Sequence, residues 1–340
     1  MKLAAQLRKD PGETFKQRLL NLKAYGFEAV ELWGNDVRDN EEEVKAALEE
    51  TGLPLSTLCS GIRGCLLHSD KEERETAISD MKMLLKIAGN LGAVGLITVP
   101  IFRKPFLPDV SPLYDTIALE KELLVVILKE LAPVAEEAGS IILIEALNRY
   151  ETHFVRTLAD ATEIAKRVDH PSVQIMADFF HMNIEETDPA ESIRQAGSYI
   201  RHVHLADSTR LQPGTGTIDF KRGFAALKEI GYENYMALEC KIEGDPAVAL
   251  PRTVEYLRRC IVEVQPGILE VMIEPKDEAR CQQLENLGYI IIRRQTIGLV
   301  LNRAGIKVAF VKRGGQVFTG QSRNAGDWKP VKDISQLPKP

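Results

Sequence analysis

Cysteine is sparse and scattered: Cys59, Cys65, Cys240, Cys260 and Cys281 form no CxxC pair and their number is odd. A disulfide framework and a zinc ribbon are both excluded as sources of order. Long apolar runs are missing as well. The longest, VGLITVPIF, LLVVIL and SIILIEAL, fall well short of a membrane span. The opening LAAQLRKDPGE has no h-region and no cleavage site, so no secretory leader is expected. The chain is therefore expected to be reduced and cytoplasmic. No GxGxxG follows the first strand-like run and no GxxxxGK occurs anywhere, which removes the common phosphate-cradling loops. Basic residues are in deficit, 43 against 49 acidic, and the net charge of −6 argues against a nucleic-acid binder.

What remains is 340 residues of soluble globular composition, 44% hydrophobic and 27% charged. Short apolar runs alternate with amphipathic stretches. Strands are expected at KLAAQL (2–7), AVELWG (29–34), PLSTLCSG (54–61), GLITVPI (95–101), IILIEALN (141–148), VQIMADFFH (173–181), IRHVHLAD (200–207) and YMALEC (235–240). Helical periodicity fills the gaps, as in EEEVKAALEETG and TLADATEIAKRV. Strand–helix alternation implies a parallel sheet with crossover helices. Eight units in 261 residues fit a closed (β/α)8 TIM barrel better than an open doubly wound sheet.

The pattern breaks after Cys260. Residues 262–340 carry 12 Lys and Arg against 8 Asp and Glu, leaving 31 against 41 in residues 1–261. A helical KDEARCQQLENLG and short strands with tight turns at Arg303–Gly305 and Arg313–Gly315 predict a small appended α+β module. Its apolar strands need cover, and a homo-oligomer interface is the expected role, a lid the alternative.

In such a barrel, chemistry gathers where the strands run out. Four consecutive apolar runs end in Glu145, Asp178, His204 and Glu239. Three carboxylates and one imidazole form a hard, oxygen-rich set suited to Mn²⁺, with Mg²⁺ or Co²⁺ as alternatives. One strand-end carboxylate is often only a helix cap; four on consecutive strands are hard to explain by capping.

The segments IEALNRYE (144–151), DFFHMNIEE (178–186), HLADSTRLQPGTG (204–216) and LE (238–239) resemble the xylose-isomerase-like sugar isomerases and epimerases, most closely the ketose 3-epimerases. The ligand gaps of 33, 26 and 35 residues are similar to the epimerase pattern. The resemblance implies a metal held by Glu145, Asp178, His204 and Glu239. It implies an acid/base pair in Glu145 and Glu239. It implies that Glu151, His181 and Arg210 hold the ketose end of a sugar substrate. The expected reaction is epimerisation at C3 through a stabilised enediolate, with aldose–ketose or hydroxypyruvate-type isomerisation, or an inosose-dehydratase-like elimination, as alternatives.

The chain departs from that pattern in two places. The loop FRKPFLPD (102–109) lacks the sugar-stacking tryptophan, and Cys-Lys follows Glu239. Glu31, Trp33, Phe102 and Phe106 are candidate pocket walls, and Arg63, Arg103 and Lys104 would suit a phosphorylated substrate. His202, two residues before His204, shares its side of the strand and is expected to pack in the interior. His68, His153 and His170 are expected at the surface, and Cys59 and Cys65 to serve packing. A DNA-repair enzyme on a related barrel would want more histidine and a basic groove.

Overall fold

The computed structural model describes residues 1–7 and 12–263, and the backbone of three further strands, 308–312, 316–320 and 329–331. The chain divides into two compact units, Met1–Arg258 and Arg259–Pro340.

The first unit is a TIM barrel. Its eight strands are β1 (Lys2–Gln6), β2 (Ala29–Trp33), β3 (Leu55–Cys59), β4 (Gly95–Thr98), β5 (Ile141–Glu145), β6 (Val173–Asp178), β7 (Ile200–Leu205) and β8 (Tyr235–Leu238). They pair in parallel in chain order and close through β1 and β8, with Lys2 opposite Tyr235. The helices are α1 (Phe15–Ala24), α2 (Gly34–Val37), α3 (Glu41–Thr51), α4 (Lys71–Asn90), α5 (Thr116–Glu137), α6 (Leu158–Val168), α7 (Phe179–Glu185), α8 (Pro189–Ala196), α9 (Phe220–Glu229) and α10 (Pro246–Glu263). Among the described residues, no helix is long and apolar enough to cross a membrane.

Local chemistry starts these helices where the pattern predicts them. Thr14, Asp70, Asp115 and Asp219 each accept a backbone N–H of the first turn, and Thr157 and Asp160 form a reciprocal capping box. Two short helices were not expected. In particular, the apolar run 173–181 is not one strand. It stops at Asp178, whose Oδ1 accepts from the Phe180 and His181 amides and opens α7.

Side chains alternate across each strand, so residues two apart share a side. Ala4, Ala29 and Ala237 cluster in one part of the barrel, and Cys59, Ile97, Leu143 and Met176 in another. Leu143, Met176, His202 and Ala237 each precede one of the four expected ligands by two positions. The ligands therefore stand one layer above a packed interior.

In the second unit, β9 (Val308–Lys312), β10 (Gln316–Gly320) and β11 (Lys329–Val331) form an antiparallel sheet of order β11-β10-β9. The strands β9 and β10 flank the turn expected at Arg313–Gly315. The expected helix KDEARCQQLENLG and the turn at Arg303–Gly305 lie outside the described residues.

Close packing of β4 on β5 requires a residue without a side chain at Gly95. A Cβ there would sit 2.2 Å from the Ile141 carbonyl oxygen. We expect Gly95→Ala to lower unfolding free energy by about 1–3 kcal/mol. Urea denaturation would show this as a lower midpoint at unchanged slope.

Candidate metal centre

The four strand-end residues meet at one point. His204 Nδ1 lies 3.5 Å from Glu239 Oε2, 3.6 Å from Glu145 Oε1 and 3.9 Å from Asp178 Oδ2. One ligand atom from each residue lies within 4.8 Å of all the others. Asp178 and His204 are register partners on β6 and β7. Glu239 follows β8 directly, its amide bonded to the Leu205 carbonyl.

Two atoms show what this point is suited to hold. His204 Nδ1 and Asp178 Oδ2 are buried and have no hydrogen-bond partner. Buried polar atoms left unpaired are destabilising, and both face the same space. The charge balance agrees. Glu31, Glu145, Asp178 and Glu239 are all buried here, and among the described residues Arg210 is the lone guanidinium touching the cluster. The donor set and its negative excess fit a divalent cation.

Glu31 was expected to line the pocket; it lies beneath it instead, fully buried. Its carboxylate accepts from Gln6 Nε2 (3.1 Å), Thr57 Oγ1 (2.6 Å), His202 Nε2 (2.9 Å) and His204 Nε2 (3.0 Å). Because His204 Nε2–H donates to Glu31, Nδ1 is turned toward the three carboxylates. This is the partner that fixes tautomer and ring orientation in a metal-binding histidine. His202 is buried as expected, and it serves the same carboxylate.

The protonation states follow from this crowding. Burial alone would raise Glu31, but His204 and His202 hold it well below the usual carboxylate range. Burial would lower His204, yet Glu31 and Glu239 push it well above the usual histidine range. Glu145 is raised, chiefly by burial. Glu239 is pulled up by burial but held down at about 2 by His204 and Arg210.

Cys59 was expected to serve only packing, but its Sγ lies 3.9 Å from Glu239 Oε1, and Gln6 Nε2 lies 3.3 Å from the same oxygen. Glu31, Cys59 and His204 make a second close group. That group is a poor cation site, because Glu31 is already saturated with donors. Burial, reinforced by Glu31 and Glu239, also keeps the thiol protonated. It supports the four-residue point from below.

The expected substrate contacts gather at one side of the mouth. Arg210 pairs with Glu239 through Nη2, approaches His181 Nε2 to 3.0 Å with Nη1, and lies 4.5 Å over the Phe180 ring. Its loop is held by Asp207, which is buried and accepts from the Ser208, Gly214 and Ile218 amides. His181 Nδ1 accepts from the Asn148 amide at 3.1 Å. Asn148 Nδ2 donates to Glu151 Oε1 at 2.9 Å. Glu151, His181 and Arg210 are thus linked, and Asn148, missed by the sequence reading, joins them.

Other expectations fare differently. Trp33 stands at the mouth, 36% exposed, and Phe102 and Phe106 are exposed in the loop after β4. Arg63 is engaged by the buried Asp80, which also binds Arg38. His153 is not a plain surface histidine: its Nε2 lies 2.6 Å from the fully buried Glu120. His68 and His170 are half-buried.

Comparison with known proteins agrees with this geometry. The sequence profile of the xylose isomerase-like TIM barrel matches residues 19–260, and the chain belongs to that family. The 3-dehydro-D-guloside 4-epimerase of Escherichia coli (strain K12) is 35% identical over 263 residues, 76% of this chain and 100% of the relative. A D-psicose 3-epimerase of Ruminiclostridium cellulolyticum is 35% identical over 151 residues, 44% of this chain and half of the relative. The apo crystal structure of E. coli 3-keto-D-glucoside 4-epimerase superposes with a TM-score of 0.70 at 33% identity, over 76% of this chain and all of that one. Epimerases are isomerase-class enzymes, and this chain is an enzyme of that class.

If Glu31 orients His204, Glu31→Gln should weaken Mn²⁺ binding about 10- to 100-fold, and Asp178→Asn should weaken it more. Calorimetric titration of the metal-stripped protein measures both. Unaltered affinity in Glu31→Gln would separate that carboxylate from the metal centre.

Proposed function

We propose that this protein is a metal-dependent epimerase of keto-sugars, inverting the carbon next to a ketone. The observation that carries this reading is the convergence of Glu145, Asp178, His204 and Glu239 around one point, with His204 Nδ1 and Asp178 Oδ2 unpaired. These four residues would hold the cation, with Mn²⁺ the first choice for so oxygen-rich a set and Mg²⁺ or Co²⁺ close behind. When bound, such a cation supplies Lewis-acid stabilisation of the negative charge that develops on the ketone oxygen as the neighbouring proton leaves.

The chain's own residues supply the rest. Inversion needs one group to take a proton from one face of the carbon and another to return one to the opposite face. Glu145 ends β5 and Glu239 follows β8, so they reach the site from separate parts of the ring. Glu239 is steadied by Gln6 and Cys59 at Oε1 and by Arg210 at Oε2. Arg210 and His181 present nitrogen donors at the same edge, and Glu151 an acceptor. These suit the carbonyl and hydroxyl oxygens of the sugar. Burial of both glutamates keeps water from the proton-transfer atoms.

Two substrates fit. The end-to-end match with a 3-dehydro-guloside 4-epimerase favours a 3-keto glycoside inverted at C4. The linked Glu151, His181 and Arg210, which resemble the ketose-binding set, favour a free ketose inverted at C3. We place the glycoside first, because its relative is matched along its whole length.

Incubation in D₂O with Mn²⁺, followed by NMR, separates the readings. Deuterium at C4 of a methyl 3-keto-hexoside supports the first, and deuterium at C3 of D-psicose or D-fructose the second. Label at C1 of the ketose, or at C2 of an aldose formed from it, would mean an isomerase, and no label in any ketone would reject the proposal. Glu145→Gln and Glu239→Gln should each lower the exchange rate by about 10²- to 10⁴-fold. A variant keeping a tenth of the wild-type rate would free that residue of the role.

A further inference from the structure

From the mouth of the barrel a cleft of about 550 Å³ runs sideways between the ends of β1 and β2 and the first turns of α1 and α3. That is large enough for a small ligand. Gln6 belongs to both places. It lines the cleft, and its Nε2 lies 3.3 Å from Glu239 Oε1. The cleft therefore begins one side chain away from the proposed acid/base pair.

Its walls have a definite chemistry. Trp33 is in register with the inward-facing Cys59 and two residues beyond the buried Glu31, so it stands on the inner side of β2, one layer higher. It keeps 36% of its surface exposed. Phe15 and Leu7 extend the apolar wall, and Asn35, Asp36 and Asn40 bring polar groups to the same space. An exposed indole face beside short amide and carboxylate groups suits a pyranose. Its C–H face can lie on the ring, and its hydroxyls can find both donors and acceptors. Trp33 also supplies an indole face, which the loop after β4, carrying Phe102 and Phe106 but no tryptophan, does not.

Position decides what the occupant is to the reaction. Glu151, His181 and Arg210 come from the loops after β5, β6 and β7. The cleft opens at β1 and β2, across the ring from them. A free ketose held by the first set would not reach far into the cleft. A second sugar unit, joined to the reacting ring through a glycosidic oxygen, would.

We infer that the Trp33 cleft is a subsite for a second pyranose, making the preferred substrate a keto-sugar within a disaccharide. This rests on the keto-sugar reading for its catalytic meaning, but the binding can be tested without turnover. The full-length Mn²⁺-loaded protein is titrated with cellobiose and with methyl β-D-glucoside while tryptophan emission is followed. Trp33 and Trp328 are the two tryptophans of the chain. Cellobiose should bind about tenfold more tightly, corresponding to about 1.4 kcal/mol, and should shift the emission. Trp33→Leu should abolish the shift and most of that ratio, and Asp36→Ala should reduce the ratio with Trp33 still reporting. Equal affinities, no measurable binding of either sugar, or a ratio that survives both substitutions would overturn the subsite. Loss of the ratio in Trp33→Leu, in a protein that exchanges no ketone α-proton, would support the subsite and reject the epimerase reading alone.

Discussion

A single buried carboxylate, Glu31, sets the terms for everything above it. An ionised carboxylate without partners is costly inside a protein, by several kcal/mol even after relaxation. Glu31 avoids this by drawing four donors from three strands: Gln6 on β1, Thr57 on β3, and His202 and His204 on β7. Once Nε2 of His204 is committed to it, Nδ1 faces Glu145, Asp178 and Glu239. The ring is then held in the orientation a metal needs. Placing acceptors below and ligands above means that the same barrel layer both anchors and serves the site.

This gives the two halves of the barrel different tasks. Strands β5 to β8 bring the four side chains proposed to hold the cation and the loops with Glu151, His181 and Arg210. Strands β1 to β3 bring Gln6, Glu31, Thr57 and Cys59, which steady His204 and Glu239 through their contacts. Variation in the loops above can then change the sugar without touching the reacting centre, which is how one barrel serves several chemistries. The relatives fit that view. Their names share epimerisation and differ in the sugar and in the carbon inverted.

Much of this was legible in the sequence, for a physical reason. A barrel strand is buried on both faces, so it reads as an apolar run, and a charge at its end stands out. That exposed Glu145, Asp178, His204 and Glu239, and the alternation of side chains placed His202 inside. All eight strands appear within a few residues of their expected positions, and the ends err most. The run 173–181 hid α7 because Phe179 and Phe180 prolong the apolar signal, while the signal for the break is Asp178 acting as a cap. Glu31 was visible as a strand end, but its partners lie across the barrel, 171 and 173 positions away in the chain. Gln6, Thr57 and Asn148 carry no charge and blend into their strands and loops. The burial of Glu120 beneath His153 is likewise a long-range pairing that spacing alone does not announce.

The central claim is that the cation sits where His204 Nδ1 and Asp178 Oδ2 point, with Glu31 behind the imidazole rather than on the metal. Anomalous diffraction from crystals grown with Mn²⁺ addresses this directly. The account predicts one strong anomalous peak per chain, bonded by His204 Nδ1, Asp178 Oδ2 and one carboxylate oxygen each from Glu145 and Glu239, with His204 Nε2 still donating to Glu31. A peak bonded by Glu31, Cys59 and His204 Nε2, or no peak among these residues, would contradict it.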